Sequence, residues 1–170
     1  MKNICLISDT HGKIESWVFK HFEDSDEIWH CGDLGSISIA DSINKNFKFR
    51  AVYGNIDNAQ IRRSFKKDLV FKVEDIKVLM THIAGPVKKY NAETLKIISN
   101  EKPQLLVCGH SHILKVIYDK NFKMLYMNPG SCGSFGIHKV KTLLKFKIEG
   151  SDFKDLKVIA VSYTHLRAHE

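Results

Sequence analysis

Short apolar segments alternate with helix-like segments through the first third of the chain. Asn3 to Ser8 is apolar with two isoleucines, as expected for a buried strand, and Glu15 to Phe22 then repeats apolar residues at helical spacing. A second strand is predicted at Glu27 to His30, a helix at Ile37 to Ile43 and a third strand at Phe49 to Tyr53. This βαβαβ order predicts a parallel sheet with helices packed against it.

The second half of the pattern is richer in strands. A hairpin is predicted from Leu69 to Val73 and Ile76 to Thr81, a helix from Ala92 to Ser99 and a strand from Gln104 to Cys108. Three more strands are expected at Leu114 to Tyr118, Lys123 to Met127 and Thr142 to Glu149. Two facing sheets flanked by helices would accommodate both halves, so the predicted fold class is α/β.

The length and the two ends of the chain determine the expected domain boundaries. The 170 residues suffice for one hydrophobic core, and we assign residues 1–159 to a single domain. Residues 160–170 do not continue the lysine-rich, alternating pattern of the preceding segment, and they resemble a cloning or assembly scar. We therefore predict that they are a non-native C-terminal extension. The apolar stretches are too short to span a bilayer, and the N-terminus is too short for a signal peptide. We therefore expect a soluble, cytoplasmic protein that does not enter a membrane.

The net charge of +7 comes from lysines that are spread along the whole chain. Spread lysine is typical of a solvated surface, and the alternative interpretation is a positive field that attracts phosphate-bearing substrates. The densest basic patch follows the third predicted strand and contains Arg62, Arg63, Lys66 and Lys67. This patch could rim a pocket, but it does not by itself predict nucleic-acid binding.

The cysteines are scattered and form no Cys-x-x-Cys pair. A structural zinc site would require paired cysteines, and a disulfide framework would be typical of a much smaller secreted chain. We therefore expect Cys5, Cys31, Cys108 and Cys132 to be reduced thiols in the core.

Candidate metal ligands follow five of the apolar segments. The motifs are Ser8-Asp9-Thr10-His11-Gly12, Gly32-Asp33, Gly54-Asn55-Ile56-Asp57, Thr81-His82 and Gly109-His110-Ser111-His112. Apart from Asp57, they supply two carboxylates, one amide oxygen and four imidazoles, which are enough donors for two divalent metal ions. Ligands of α/β sheets bind beyond the carboxyl ends of the strands, and the motifs fall at those ends.

The spacing within two of these motifs also predicts chelation. Asp9 and His11 are two residues apart, and so are His110 and His112. On an extended strand end, alternate side chains point to the same side. Each pair is therefore expected to direct both side chains into one pocket.

The motifs resemble the signature of the calcineurin-like metallophosphoesterases over Asn3 to about Ile148. The short length and Asn128-Pro129-Gly130-Ser131 resemble the small prokaryotic phosphodiesterase branch of that family. The resemblance implies a four-layer α/β/β/α sandwich of two mixed sheets flanked by helices. It also implies a dinuclear metal centre.

The resemblance further implies a role for each matched residue. One metal would be held by Asp9, His11 and His112, the other by Asn55, His82 and His110, and Asp33 would bridge the two. Asp57 and Asn128 would orient ligands or a phosphate oxygen.

The implied activity is hydrolysis of a small phosphodiester by a hydroxide that bridges two metal ions, without a serine or cysteine nucleophile. Manganese is the metal that we expect to support activity, and nickel, iron, cobalt and zinc are alternatives. Nucleic acid would take part only as a substrate. A homo-oligomer is compatible with the resemblance.

One departure from the family pattern leaves a second function open. Many members have a histidine where Ile56 stands, and isoleucine cannot protonate a leaving group. The alternative is a catalytically weak or inactive protein-binding module with the same fold, as in a eukaryotic retromer subunit that lacks a complete ligand set. All seven ligand positions are filled here, which favours the enzyme.

Overall fold

The structure is a computed structural model, and it describes residues 1–133 and 140–162. The described strands are β1 (Lys2–Ile7), β2 (Glu27–His30), β3 (Lys48–Ala51), β4 (Asp68–Val73), β5 (Ile76–Thr81), β6 (Leu105–Val107), β7 (Leu114–Asp119), β8 (Met124–Pro129), β9 (Val140–Glu149) and β10 (Asp152–Ser162). The described helices are α1 (Ser16–Lys20), α2 (Ile37–Asn44), α3 (Ala59–Ser64) and α4 (Ala92–Glu101). None of these helices has the length and apolar character needed to cross a bilayer.

The strands form two five-stranded mixed sheets. The first has the order β10-β9-β1-β2-β3, in which β1, β2 and β3 are parallel and β9 and β10 are antiparallel to their neighbours. The second has the order β4-β5-β6-β8-β7, in which β5, β6 and β8 are parallel. The carboxyl ends of three strands therefore meet at one edge of each sheet.

Alternation of side chains along the strands divides the core into three apolar layers. Ile4 and Leu6 of β1 face the second sheet, where they pack with Val78 and Met80 of β5. The opposite face of β1 packs on α1, α2 and α3. The outer face of the second sheet packs on α4. The predicted α/β/β/α sandwich is thus confirmed, and the four cysteines are buried and free as expected.

Two elements were not anticipated from the hydrophobic pattern. Helix α3 is short and largely polar, and its start depends on Asn58, whose side chain accepts a hydrogen bond from the backbone N–H of Ile61. Strand β10 lies at a sheet edge with most of its side chains exposed, so it lacks the alternation that marks a half-buried strand.

Strand β10 also crosses the proposed domain boundary. Residues 160–162 pair in register with β9 and continue the sheet, whereas residues 163–170 lie outside the described residues. The assignment of residues 160–170 as a non-native extension stays a prediction.

Candidate metal centre

The loops after five parallel or adjoining strands bring the seven predicted ligands to one end of the two sheets. In the first sheet, Asp9 and His11 follow β1, Asp33 follows β2 and Asn55 follows β3. In the second sheet, His82 follows β5, and His110 and His112 follow β6. Residues from both sheets therefore face each other across a single centre.

The backbone of five of these residues is left-handed rather than extended. The φ angles are 57° at Asp9, 50° at His11, 60° at Asp33, 72° at His110 and 62° at His112. The expectation of extended strand ends is therefore wrong, because β1 and β6 end before their ligands begin. A left-handed non-glycine residue costs about 1–2 kcal/mol, and such strain is concentrated at functional sites.

Each of the two carboxylates has one oxygen held by donors from the protein. Oδ2 of Asp9 accepts hydrogen bonds from the Ser8 hydroxyl and, at 3.2 Å, from the backbone N–H of His110. Oδ1 of Asp33 accepts a hydrogen bond of 3.1 Å from the backbone N–H of Ile56. These bonds fix the orientation of both carboxylates and leave the second oxygen of each directed at the histidines.

The second oxygens lie among imidazole nitrogens. Oδ1 of Asp9 is 3.2 Å from Nε2 of His112, 3.8 Å from that of His11 and 3.9 Å from that of His82. Oδ2 of Asp33 is 3.2 Å from Nε2 of His82 and 3.7 Å from Nε2 of His11. Burial acts to raise the pKa of Asp9, but the imidazoles and the Ser8 hydroxyl outweigh it and hold that pKa well below its usual range. The Asp9 carboxylate is therefore ionised.

The ring of His82 has a defined orientation. Its Nδ1 lies 2.7 Å from the carbonyl oxygen of Cys31, to which it donates, so Nε2 faces the pocket. Nε2 is 3.0 Å from Oδ1 of Asn55, and that same oxygen is 3.1 Å from Nδ1 of His110. Burial acts to lower the pKa of His82, but Asp33 and Asp9 reverse this and raise it. The surroundings favour positive charge at Nε2, which a proton or a metal ion can supply.

The residues present fit a divalent cation. Oδ1 of Asp9 is buried and accepts no hydrogen bond of normal geometry from any residue in 1–133 or 140–162. Two groups of side chains have ligand atoms within 4.8 Å of one another, namely Asp9 with His11 and His112, and Asp9 with Asp33 and His82. Carboxylate and imidazole donors suit manganese, iron, nickel, cobalt and zinc. The division of the seven residues between two metals stays a prediction.

Asp57 organises two of the ligand-bearing loops. Its carboxylate accepts hydrogen bonds from the backbone N–H groups of Leu34 (3.2 Å), Gly35 (2.8 Å) and Gly54 (2.8 Å), and it is 4% exposed. The loop with Asp33 is thereby tied to the loop with Asn55. In the described contacts, Asp57 acts on the backbone of these loops rather than on a ligand side chain.

We expect Asp57→Ala to weaken manganese binding by about 10- to 100-fold, because the two loops lose their common anchor. Two buried N–H groups, those of Leu34 and Gly54, and the more exposed N–H of Gly35 would also lose their acceptor. The cost is on the order of 3 kcal/mol in the free energy of unfolding. Asp57→Asn keeps one acceptor oxygen and should lose less in both respects. Calorimetric titration with manganese and urea unfolding measure the two effects, and equal behaviour of both variants would contradict this role.

Asn128 holds the loop that contains the last two ligands. Its side-chain amide donates to the carbonyl oxygen of Gly109 and to Oγ of Ser111, each at 3.0 Å. Its own carbonyl oxygen accepts from the backbone N–H of Gly130 at 3.0 Å. Asn128 thus positions the segment on either side of His110 from strand β8.

His30 is a buried histidine that supports the first ligand loop. Its Nδ1 accepts from the backbone N–H of Gly32 at 3.0 Å, so the neutral ring carries its proton on Nε2, 2.9 Å from Oγ1 of Thr10. The Thr10 hydroxyl in turn donates to the carbonyl oxygen of Leu34 at 3.0 Å. Burial lowers the pKa of His30 to about 4, although the carboxylates of Asp9 and Asp57 act to raise it.

We expect His30 to make the folded state sensitive to acid. In the unfolded chain a histidine has a pKa of about 6.5, so between pH 6.5 and 4 the unfolded state binds a proton that the folded state does not. The stability is therefore full above pH 6.5 and is lost as pH falls towards 4, by on the order of 3 kcal/mol. Denaturant unfolding across this range should give a shallower pH dependence for His30→Asn than for the unmodified protein. Identical slopes would contradict the assignment.

Arg62 supports the loop that carries Asn55. The sequence placed Arg62 only in a basic patch and did not predict this contact. Its Nε donates to the carbonyl oxygen of Asp57 at 2.8 Å, and a terminal nitrogen donates to that of Asn55 at 3.1 Å. Its guanidinium also lies 4.8 Å from the centre of the Tyr53 ring. Arg62 therefore stabilises the Asn55 loop and lies beside the centre.

Comparison with known proteins gives the family. A model of the calcineurin-like phosphoesterase superfamily domain matches residues 1–151. The chain belongs to the calcineurin-like phosphoesterase superfamily. The match covers all seven candidate ligands of this phosphoesterase and confirms the resemblance found in the motifs.

A curated relative and two solved structures each match most of the length of the phosphoesterase. A Methanocaldococcus jannaschii protein named "Probable metallophosphoesterase" is 29% identical over 164 residues, covering 93% of this chain and 81% of that protein. A predicted phosphoesterase from Streptococcus pneumoniae has a similar structure, with a TM-score of 0.69 and 23% identity, covering 96% of this chain and 91% of the other. Vps29 from Entamoeba histolytica in complex with Zn²⁺ has a TM-score of 0.71 and 18% identity, covering 94% of this chain and 98% of the other. These two structures establish the shared fold.

Proposed function

We propose that this phosphoesterase is a phosphodiesterase that uses two divalent metal ions. The observation that carries the proposal is the convergence of three imidazoles, those of His11, His82 and His112, on one carboxylate oxygen of Asp9 and one of Asp33. Such an arrangement of ionised oxygens and histidines is stabilised by cations. Asp33 is the proposed bridge, since its Oδ2 lies between His11 of one predicted group and His82 of the other.

Two cations bound there would supply an activated water near neutral pH and neutralise the phosphate oxygens of the substrate. The protein holds the centre rigid, because each ligand carboxylate has one oxygen fixed by backbone or hydroxyl donors. The side-chain amide oxygen of Asn55 contacts a ring nitrogen of both His82 and His110. Pre-organisation of this kind keeps the ligands near binding geometry before the metal arrives.

The side chains that could act as protein nucleophiles are engaged otherwise. The Ser8 hydroxyl donates to Asp9, and Oγ of Ser111 accepts from Asn128. Burial raises the pKa of the Cys132 thiol to about 12, so it stays protonated. These contacts support attack by water rather than by a side chain.

Ile56 favours substrates with good leaving groups. Its side chain is 47% exposed beside the centre, and it offers only its backbone N–H, which already binds Asp33. Without a proton donor at this position, expulsion of a strongly basic alkoxide should be slow. Diesters that release a stabilised oxyanion are the proposed substrate class.

The proposal is tested with metal-stripped protein that is reconstituted with manganese, nickel, iron, cobalt or zinc. We expect hydrolysis of bis-p-nitrophenyl phosphate to require added metal, to be highest with manganese and to exceed hydrolysis of p-nitrophenyl phosphate. Activity that persists after chelation would contradict a metal-dependent reaction. A preference for the monoester would contradict the diesterase assignment.

The competing function is a protein-binding module with weak or no activity. The shared fold with Vps29 does not separate the two, because similarity at 18% identity concerns the fold alone. Stoichiometric metal binding without turnover of either substrate, for all five metals, would favour the binding module. The filled ligand positions favour the enzyme.

A further inference from the structure

An apolar cleft adjoins the metal centre on the side of His110. It has a volume of about 280 Å³, and its wall includes Ile83, Pro86, His110, Ile113 and Tyr126. The Tyr126 ring is 6% exposed, and its hydroxyl donates to the carbonyl oxygen of Gly85 at 3.3 Å. Burial raises the pKa of this phenol, so the hydroxyl stays neutral.

The apolar wall of this cleft is open to solvent. Ile113 is 65% exposed and Ile83 is 42% exposed, although both are large aliphatic side chains next to predicted ligands. Exposed apolar side chains that border a concave surface are typical of sites that bind the apolar part of a ligand. The cleft also exceeds the roughly 150 Å³ of a cavity that can hold benzene.

A second cleft, on the side of Asn55, has a different character. It has a volume of about 270 Å³ and is lined by Tyr53, Asn55, Arg62 and Lys67 among others. Lys67 forms an ion pair with Glu93 at its rim. Ile83 lines both clefts, so it lies between the cleft that carries Arg62 and Lys67 and the cleft on the side of His110. The lining of the latter is mainly apolar, although it includes Lys115.

We propose that the apolar cleft binds an aromatic ester substituent of the phosphodiester, with Ile113 and Ile83 as specificity-determining residues. The inference rests on the proposed function, since it needs the phosphoryl group at the metal centre. A diester carries two organic substituents, and one of them can enter this cleft while the phosphoryl oxygens remain at the centre. Diesters with at least one aryl group are then preferred over diesters with two small alkyl groups.

The test uses phosphonates, because each carries one organic substituent and none is hydrolysed. Binding of phenylphosphonate and methylphosphonate to manganese-loaded protein is measured by calorimetry. We expect phenylphosphonate to bind at least about tenfold more tightly, which corresponds to partial burial of one aromatic ring. In Ile113→Asp the ratio of the two dissociation constants should fall towards one. The new carboxylate disfavours burial of the phenyl ring in the cleft, whereas it repels the phosphonate group of both ligands equally.

The matched control is Ile117→Asp, in which an isoleucine of strand β7 with 41% exposure is changed away from the cleft. This variant should keep the tenfold ratio. Manganese stoichiometry is measured in both variants because Ile113 adjoins His112. If Ile113→Asp loses metal, the uncharged Ile113→Ser variant replaces it and should lower the ratio in the same direction.

Equal affinities for the two phosphonates in the unmodified protein, or a preference that Ile113→Asp and Ile113→Ser leave unchanged, would overturn the inference. Both outcomes differ from failure of the proposed function. That failure is absence of metal-dependent diester turnover, which the phosphonate binding ratio does not measure.

Discussion

Asp33→Asn is expected to lower the rate of bis-p-nitrophenyl phosphate hydrolysis by about 10³-fold, which corresponds to a loss on the order of 4 kcal/mol in transition-state stabilisation. The physical reason is the position of Oδ2, which lies between Nε2 of His82 and Nε2 of His11. An amide has no net charge to hold two cations at this point. Manganese binding should fall from two ions to one or fewer, measured by metal analysis after gel filtration.

The amide can still accept the hydrogen bond from the backbone N–H of Ile56, so the fold should be retained. Asp41→Asn, on the exposed surface of α2, is the control for loss of one negative charge and should keep full activity. Full activity of Asp33→Asn with two bound ions would refute the bridging role. Unfolding of the variant, detected by circular dichroism, would require Asp33→Glu as the second test, with the same expected loss.

Gly54→Ala is expected to remove metal binding and to destabilise the fold by about 2–4 kcal/mol. A Cβ atom at Gly54 would lie 2.0 Å from Oδ1 and 2.4 Å from the backbone nitrogen of Asp33, so the β2 and β3 loops would have to separate. Overpacking that displaces backbone costs a few kcal/mol. The displaced carboxylate could no longer face His82 and His11. Urea unfolding and manganese titration measure the two effects.

Gly150→Ala is the control for replacement of a glycine. Its added Cβ would meet no atom closer than 3.7 Å, and the left-handed φ of 60° at this turn costs only about 1 kcal/mol for alanine. Manganese binding should be unchanged in this control. Manganese binding by Gly54→Ala that equals binding by the unmodified protein would contradict this prediction. It would mean that the two loops can separate without displacing the Asp33 carboxylate.

The strands that carry the candidate ligands were predictable because they are buried. Strands β1, β5 and β6 contain short apolar runs that precede polar turns, and β2 buries Ile28 and Trp29 between two polar residues. The predicted boundaries of these four strands agree with the observed ones within about two residues. Helix α3 and strand β10 carry little of that signal, since one is short and polar and the other is exposed at a sheet edge. Periodicity reports burial, so elements with little burial are the ones it misses.

The order of apolar runs and polar motifs correctly predicted the parallel arrangement of the first three strands and the α/β class, and it also named candidate ligands that the structure brings to one end of the sheets. It could do so because the order of apolar runs and polar motifs is a local property of the chain. The orientation of each side chain at the centre could not be predicted in this way. The left-handed backbone at Asp9 has no signal in the motif itself. The choice of Oδ1 or Oδ2 at each carboxylate depends in part on backbone N–H groups that are distant in the chain, those of Ile56 and His110. Two of the three bonds to Asp57 also come from distant residues, Leu34 and Gly35. The physical reason is that a side chain's direction is set by its hydrogen-bond partners, and here loops from two different sheets supply them.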